Sequence, residues 1–297
     1  MPRINNNIES MVTACSLKRT ERSLSKNLEK LSTGLAINRS SDNAAGHSAA
    51  EQLRMQGQGL EMGNKNIQDG VSLLNVAEGA LIEIENMIQR MRELAIQSST
   101  ATLTNSERNY IQLEASQLCK EIDRIAASTQ FNKMTLLNGD TGTAANYNPW
   151  GSTEGAFLHI GPNSDMSSDG MRVMLGAANC DGLFANNSLW TPGVGGVIDV
   201  SDQTNAQAWI GGLADAIDYV NKMRSNIGAY VNRLEHALAN QTNVMQNVTS
   251  AESLIRDTDF SFETMNFTRL QILSQSSTAM LAQANSLPNN ILNLLNQ

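Results

Sequence analysis

Apolar residues recur in a strict four-three alternation along the C-terminal third of the chain. Trp209, Leu213, Ala216, Val220, Met223, Ile227, Tyr230, Leu234, Ala237, Val244, Val248, Ala251 and Ile255 all fall on it, and Gln241 is its one polar member. That period belongs to a helix with one continuous apolar seam. At ~1.5 Å per residue such a helix is about 70 Å long. A helix of that length needs partner helices along it.

The N-terminal half supplies them. Ile67, Val71, Leu74, Leu81, Ile84, Ile88, Met91 and Ala95 mark a second long helix. The stretch "TLTNSERN" breaks it, and Thr104 followed by Glu107 fits a capping box that starts a third. Ile111, Ala115, Leu118, Ile122 and Ile125 are its seam. The short connection predicts an antiparallel helical hairpin, and three such helices can enclose one core. Residues 138–206 differ: they are rich in Gly, Asn, Ser, Thr and Asp. "AFLHIG" and "MRVMLG" read as short strands around the turn "PNSDMSSDG".

The two ends match each other. Ile4, Ile8, Met11 and Cys15 carry a four-three pattern at the start, which slips by a residue and resumes at Leu24, Leu28, Leu31 and Leu35. Leu270, Leu273, Ser277, Met280, Ala284, Leu287, Ile291 and Leu294 carry one at the end. Polar joints, "NRSSDNAAGHSA" and "RDTDFS", connect these terminal helices to the long ones, and Asp259 is placed to cap the last helix. Two helices alone have little core, because helix stability comes mainly from packing. The sequence therefore predicts a mainly α fold: a long antiparallel helical bundle or coiled-coil rod, a small β-hairpin region at one end, and terminal helices that pair as an inner coiled coil. The expected divisions are 1–40 with 256–297 for the terminal helices, 41–137 with 207–255 for the rod, and 138–206 for the hairpin and a variable insert. The terminal helices are expected to fold fully only against other copies of the chain.

Composition supports helix seams over a globular core, since only 4% of the 297 residues are aromatic. The net charge of -8 argues against a nucleic-acid partner. Residues 1–40 are nonetheless basic, with seven Lys/Arg against three acidic residues, as the polar face of a packed helix would be. No apolar run is long enough for a membrane span, and the first residues lack the apolar region of a secretory signal. Cys15, Cys119 and Cys180 are odd in number and follow no metal spacing. Cys15 and Cys119 read as small apolar filler in helices. Cys180, in the insert, reads as the exposed and reactive thiol, open to cross-linking with another chain.

"LEKLSTGLAINRSSDNAAG", "NIQDGVSLLNVAEGAL", "MRELAIQSS" and "EIDRIAASTQFN", in this order, resemble the N-terminal region of bacterial flagellin. "SLIRDTDFSFE" and "SSTAMLAQAN" resemble its C-terminal region. The resemblance covers roughly residues 4–140 and 205–297. It implies a short flagellin with a minimal central insert, a structural subunit that self-assembles into the helical flagellar filament. Terminal helices would form an inner tube, with Leu24, Leu28, Leu31, Leu35, Leu270, Leu273, Met280, Leu287, Ile291 and Leu294 packing between subunits. Implied partners are further copies of the chain, an export chaperone, hook-associated and cap proteins, and other flagellins. In some flagellins the segment resembling "QRMRELAIQ" is read by a vertebrate Toll-like receptor. Gln89, Arg90, Leu94 and Glu114 match that type, and their native role would be packing on the rod surface. Type III export would place the filament outside the cell, with the periplasm as the alternative that some short flagellins use.

Catalytic constellations are not found. His47, His159 and His236 are far apart, and HExxH, GxSxG, a phosphate-cradling loop and a CxxC pair are all missing. No enzyme, cofactor or metal is expected. The rival readings are a hook–filament junction protein with similar termini and, more remotely, an enzyme-bearing or ligand-binding variant with its site in the insert.

Overall fold

A computed structural model describes residues 7–139, 150, 155–185 and 198–295, and of residues 287–295 the course of the helix alone. The chain divides into two compact units, one of residues 1–57 with 246–297 and one of residues 58–245. The fold is mainly α, and its β structure consists of short antiparallel pairs.

Two helices contribute most of the second unit. Helix α2, Ala44–Ser98, starts where the Asn43 side chain accepts the Gly46 N–H at 3.0 Å. Helix α5, Gln203–Arg256, carries the predicted seam. Trp209, Leu213, Ala216, Val220, Met223, Ile227, Leu234 and Val248 are buried, and every other seam position to Ile255 is half-buried. Helix α3, Asn105–Ser128, begins with the capping box between Thr104 and Glu107. Its Ile111, Ala115, Cys119, Ile122 and Ala126 join α2 and α5 in one apolar core.

A buried cation closes the turn between α2 and α3. The guanidinium of Arg108, 4% exposed, donates to the carbonyls of Ser98, Thr100 and Leu103. Those oxygens at and just beyond the α2 C-terminus would otherwise be unsatisfied, and positive charge is favourable there. Gln112 on α3 secures the returning chain in a similar way. It donates to the Ile198 carbonyl and accepts the Val200 N–H, both at 2.6 Å.

Strands β1, Gln130–Phe131, and β2, Met134–Thr135, form a tight hairpin that hydrophobic alternation does not reveal. Its loop residues Asn132 and Lys133 both have positive φ, as a two-residue turn of type I′ requires. Strands β3, Ala156–His159, and β4, Gly170–Val173, form the expected hairpin, with Ala156 opposite Val173 and His159 opposite Gly170. This hairpin lies against a glycine row on α2. A Cβ at Gly63 would run into the Ile160 carbonyl, one at Gly59 into Pro162 and one at Gly70 into Leu158. Gln241 Nε2 and Asn66 Nδ2 hold the same edge, donating to the Ile160 and His159 carbonyls at 2.8 and 3.0 Å. A single turn of helix, α4, Cys180–Leu183, follows the hairpin, and Phe184 then meets Trp209 edge-on with ring centroids 5.4 Å apart.

In the first unit, α1, Ile8–Thr33, and α6, Phe260–Leu295, run antiparallel. Asn7 Nδ2 reaches the Ala284 carbonyl at 2.8 Å, and Asn27 Nδ2 reaches the Glu263 carbonyl at 3.2 Å. Asp259 caps α6 as expected, its Oδ1 accepting the Ser261 and Phe262 N–H groups. Leu35 departs from expectation. It is not on the helical seam, because α1 stops at Thr33 and Gly34 adopts a left-handed φ of 74°. Leu35 instead pairs with Asp257 in an antiparallel bridge.

Candidate functional site

The α1–α6 pair has an unusual distribution of side chains. Its inner seam mixes Leu and Phe with small and polar side chains. Ser10, Thr13, Leu17, Thr20, Leu24, Asn27 and Leu31 on α1 are at least half-buried, as are Glu263, Phe267, Leu270, Ser274, Ser277, Leu281 and Ala284 on α6. Ser10 donates to Asn285 across this seam at 2.6 Å, and Lys30 stands 3.5 Å from Glu263. Further large apolar side chains point outward. Met11 is 72% exposed and Ile272 60%, and Ile8, Val12, Leu28, Phe260, Phe262, Met265, Leu273 and Met280 are exposed with them. A soluble helix pair ordinarily buries such residues, and a continuous exposed apolar face marks an interaction surface.

The residues expected at an inner core thus fall into three groups. Leu24, Leu31 and Leu270 are half-buried on the seam within the chain, and Leu35 is half-buried beyond it. Leu28, Leu273 and Met280 are exposed on the outward face. The side chains of Leu287, Ile291 and Leu294 lie outside the described residues. Phe262, Met265 and Ile272 form an outward stripe absent from the sequence seam. Their spacing of three and then seven was a readable signal, interrupted at Arg269.

Within the first unit, the connector that follows α1 and the one that precedes α6 are tied to each other. Ala36 N–H donates to the Arg256 carbonyl at 2.6 Å and Thr258 N–H to the Gly34 carbonyl at 2.9 Å. Arg256 Nη1 lies 3.1 Å from Glu51 and Lys26 Nζ 3.2 Å from Asp42. The Lys26 hydrogen bond holds the Asp42 carboxyl below its ordinary range.

On the second unit, Arg90 forks onto Glu114 through Nε and Nη2, at 3.0 and 2.9 Å, and reaches Glu93 through Nη1 at 3.0 Å. The two glutamates raise the Arg90 pKa, Glu114 foremost. Gln89 is exposed beside them and donates to Glu85 at 3.3 Å. Leu94 does not belong to this surface. It is 2% exposed and lies in the core with Met91 and Ala95, since α2 buries a broader face than a two-helix seam.

Cys180 also departs from expectation. It is buried, at 1% exposure, and so is Cys119, while Cys15 is the exposed cysteine. Burial on α4, against α3, removes Cys180 from reach of another chain. Of the histidines, His159 and His236 are exposed, and His47 is half-buried in the first turn of α2. Among the described residues, no helix is long and apolar enough to cross a membrane.

Two family models match the chain: the bacterial flagellin N-terminal helical region over residues 4–141 and the bacterial flagellin C-terminal helical region over residues 210–295. The flagellar filament 33 kDa core protein of Treponema phagedenis is 40% identical over 98% of this chain and 99% of its own length. The flagellin of Bacillus subtilis (strain 168) is 40% identical over 99% of both chains. The crystal structure of Bacillus cereus flagellin is 32% identical, covers 60% of this chain and 88% of that one, and superposes with a TM-score of 0.47.

Proposed function

The chain belongs to the bacterial flagellin family, and from that premise we propose that the outward apolar faces of α1 and α6 are the surfaces through which its copies pack together. The protein is a structural subunit of the flagellar filament and assembles as a homo-oligomer. The observation that carries the proposal is the set of large apolar side chains left exposed on the terminal pair, whose own seam mixes Leu and Phe with small and polar residues. Such a pair gains little from folding alone and much from being surrounded by neighbours.

In this reading, residues 1–40 with 256–297 form the inner layer of the filament. Residues 41–137 with 207–255 form the next layer, and 138–206 the outer hairpin and insert. Leu28, Leu273 and Met280 contact neighbouring subunits directly. Leu24, Leu31, Leu35 and Leu270 fix the pair that presents them, and Leu287, Ile291 and Leu294 extend the same layer. Ordering of the terminal helices is coupled to association, which offsets its entropic cost. The protein has no catalytic role. An export chaperone on the C-terminal segment, hook-associated and cap proteins and other flagellins are its partners. Gln89, Arg90 and Glu114 pack on neighbours in the filament and are open to a Toll-like receptor in the monomer. The filament is external, with the periplasm as the alternative; labelling of intact against opened cells separates the two.

Deleting residues 271–297 tests the mechanism. The truncated chain is expected to stay soluble with a folded second unit, and to form no filaments when seeded with filament fragments. The full chain should form long filaments with a gain in helical circular dichroism. Filaments from the truncated chain would overturn the proposal, and a full chain that stops at short rings would return the reading to a hook–filament junction protein.

A further inference from the structure

Cys119 on α3 and Cys180 at the start of α4 are 61 residues apart in sequence and adjacent in space. Their Sγ atoms and a carboxylate oxygen of Asp123 all lie within 4.8 Å of one another. Cys180 is held from two sides. Its N–H donates to Asp123 Oδ1 at 2.8 Å, and its thiol donates to the Cys119 carbonyl at 3.3 Å. Both cysteines sit in the core of the second unit, with Ile122 and Leu183.

We propose that Cys119 and Cys180 form an intrachain disulfide that staples α4, and with it the end of the β3–β4 segment, to helix α3. Two S–H bonds break and one S–S bond forms. The two protons and the two electrons go to a disulfide oxidant, low-molecular-weight or protein-borne, whose S–S bond breaks to give two thiols. The bond closes a loop of about 60 residues, a length at which cross-linking strongly restricts the unfolded chain.

The alternative use of the cluster is a metal ion, and the geometry favours it less. Structural zinc takes four ligands, whereas among the described residues three donors converge here. Asp123 already accepts the Cys180 amide. Both thiols are also buried, away from an incoming ion. The same burial makes the folded dithiol slow to oxidise, so the bond forms while the chain is folding. Cys15, exposed and in the other unit, is the internal control.

The full-length chain is unfolded in denaturant with reductant, then refolded in two arms: a buffer of reduced and oxidised glutathione, and reductant with zinc. In the glutathione arm the expected product is lighter by two hydrogen atoms and titrates one thiol of the three when denatured. Its unreduced digest joins the Cys119 peptide to the Cys180 peptide. Its thermal midpoint lies about 10 °C above that of the reduced chain. Three titratable thiols after the glutathione arm would overturn the proposal. So would a linkage through Cys15, or one zinc retained per chain after desalting. Because the readout is on the unsubstituted chain and needs no filament, it is independent of the assembly proposal.

Discussion

Leu35 and Asp257 form an antiparallel bridge, so the two chain segments that lead into the terminal helices are hydrogen-bonded to each other. One follows the end of α1 and the other precedes the start of α6. The flanking bonds, Ala36 N–H to Arg256 and Thr258 N–H to Gly34, set where both helices begin and end. Gly34 makes the bridge reachable, since its φ of 74° turns the chain out of α1.

Replacing Gly34 by Val therefore loosens both connectors at once. A Cβ at this position meets nothing within 4 Å, so the cost is the left-handed backbone alone, about 1–2 kcal/mol. Hydrogen exchange at Ala36 and Thr258 should speed up together, with the amides of residues 58–245 unchanged. Gly34→Asn, which tolerates the left-handed region, should show a smaller effect. Acceleration at only one of the two amides would mean the segments are not coupled.

The glycine row on α2 makes a second prediction. Gly63→Ala drives a methyl into the Ile160 carbonyl, which Gln241 also binds. The hairpin must shift, and the expected loss is about 1–3 kcal/mol. Gly79, exposed on the same helix with open space at its Cβ, is the matched control. Gly79→Ala should stabilise by about 0.5–1 kcal/mol. Denaturant unfolding of the two variants should move in opposite directions.

The long helices were legible in the sequence because their seams are uninterrupted: every position named on α5 from Trp209 to Ile255 is buried or half-buried. The Thr104–Glu107 box and the β3–β4 hairpin were legible for a similar reason, each being a local pattern. What escaped is tertiary. Nothing near Cys119 in sequence announces Cys180, and nothing in Arg108 announces that it closes the α2 terminus. The β1–β2 turn uses Asn132–Lys133 without the glycine that usually signals it. At the terminal pair, periodicity identified an apolar stripe but could not say whether it faces the partner helix or the outside. Leu28 and Leu31 lie on one stripe and differ in just that respect.

Acid should destabilise the monomer through specific carboxylates. Glu107 is held low by the Thr104 amide and hydroxyl, Glu121 by Arg124, Asp165 by Ser167 and Ser168, and Asp199 chiefly by Ser201. Each folded pKa lies below the unfolded one, so the stability they add is complete above the unfolded range, about 4. It is lost as pH falls through the lower folded values. The thermal midpoint should stay level from about pH 7 to 5 and fall below about 4. Glu107→Gln should remove part of that fall. A midpoint unchanged down to about pH 3 would show that these contacts do not persist in solution.

The outward face of α6 allows assembly to be separated from folding. Ile272 and Met280 are 60% and 57% exposed, so Ile272→Glu and Met280→Glu remove little from the isolated chain, within about 0.5 kcal/mol. If neighbours cover these positions in the filament, each change forfeits the burial of one large apolar side chain, about 2 kcal/mol. That corresponds to an approximately 30-fold rise in the concentration needed to polymerise. Leu270→Ala, on the half-buried seam, should reverse the pattern by weakening the α1–α6 pair first. Thermal melts of the monomer and sedimentation of polymer across a concentration series measure the two effects separately. Glutamate variants that polymerise as readily as the parent chain would show that this face looks into solvent in the filament too, and the packing surface would then have to be sought on α1, at Met11 and Val12.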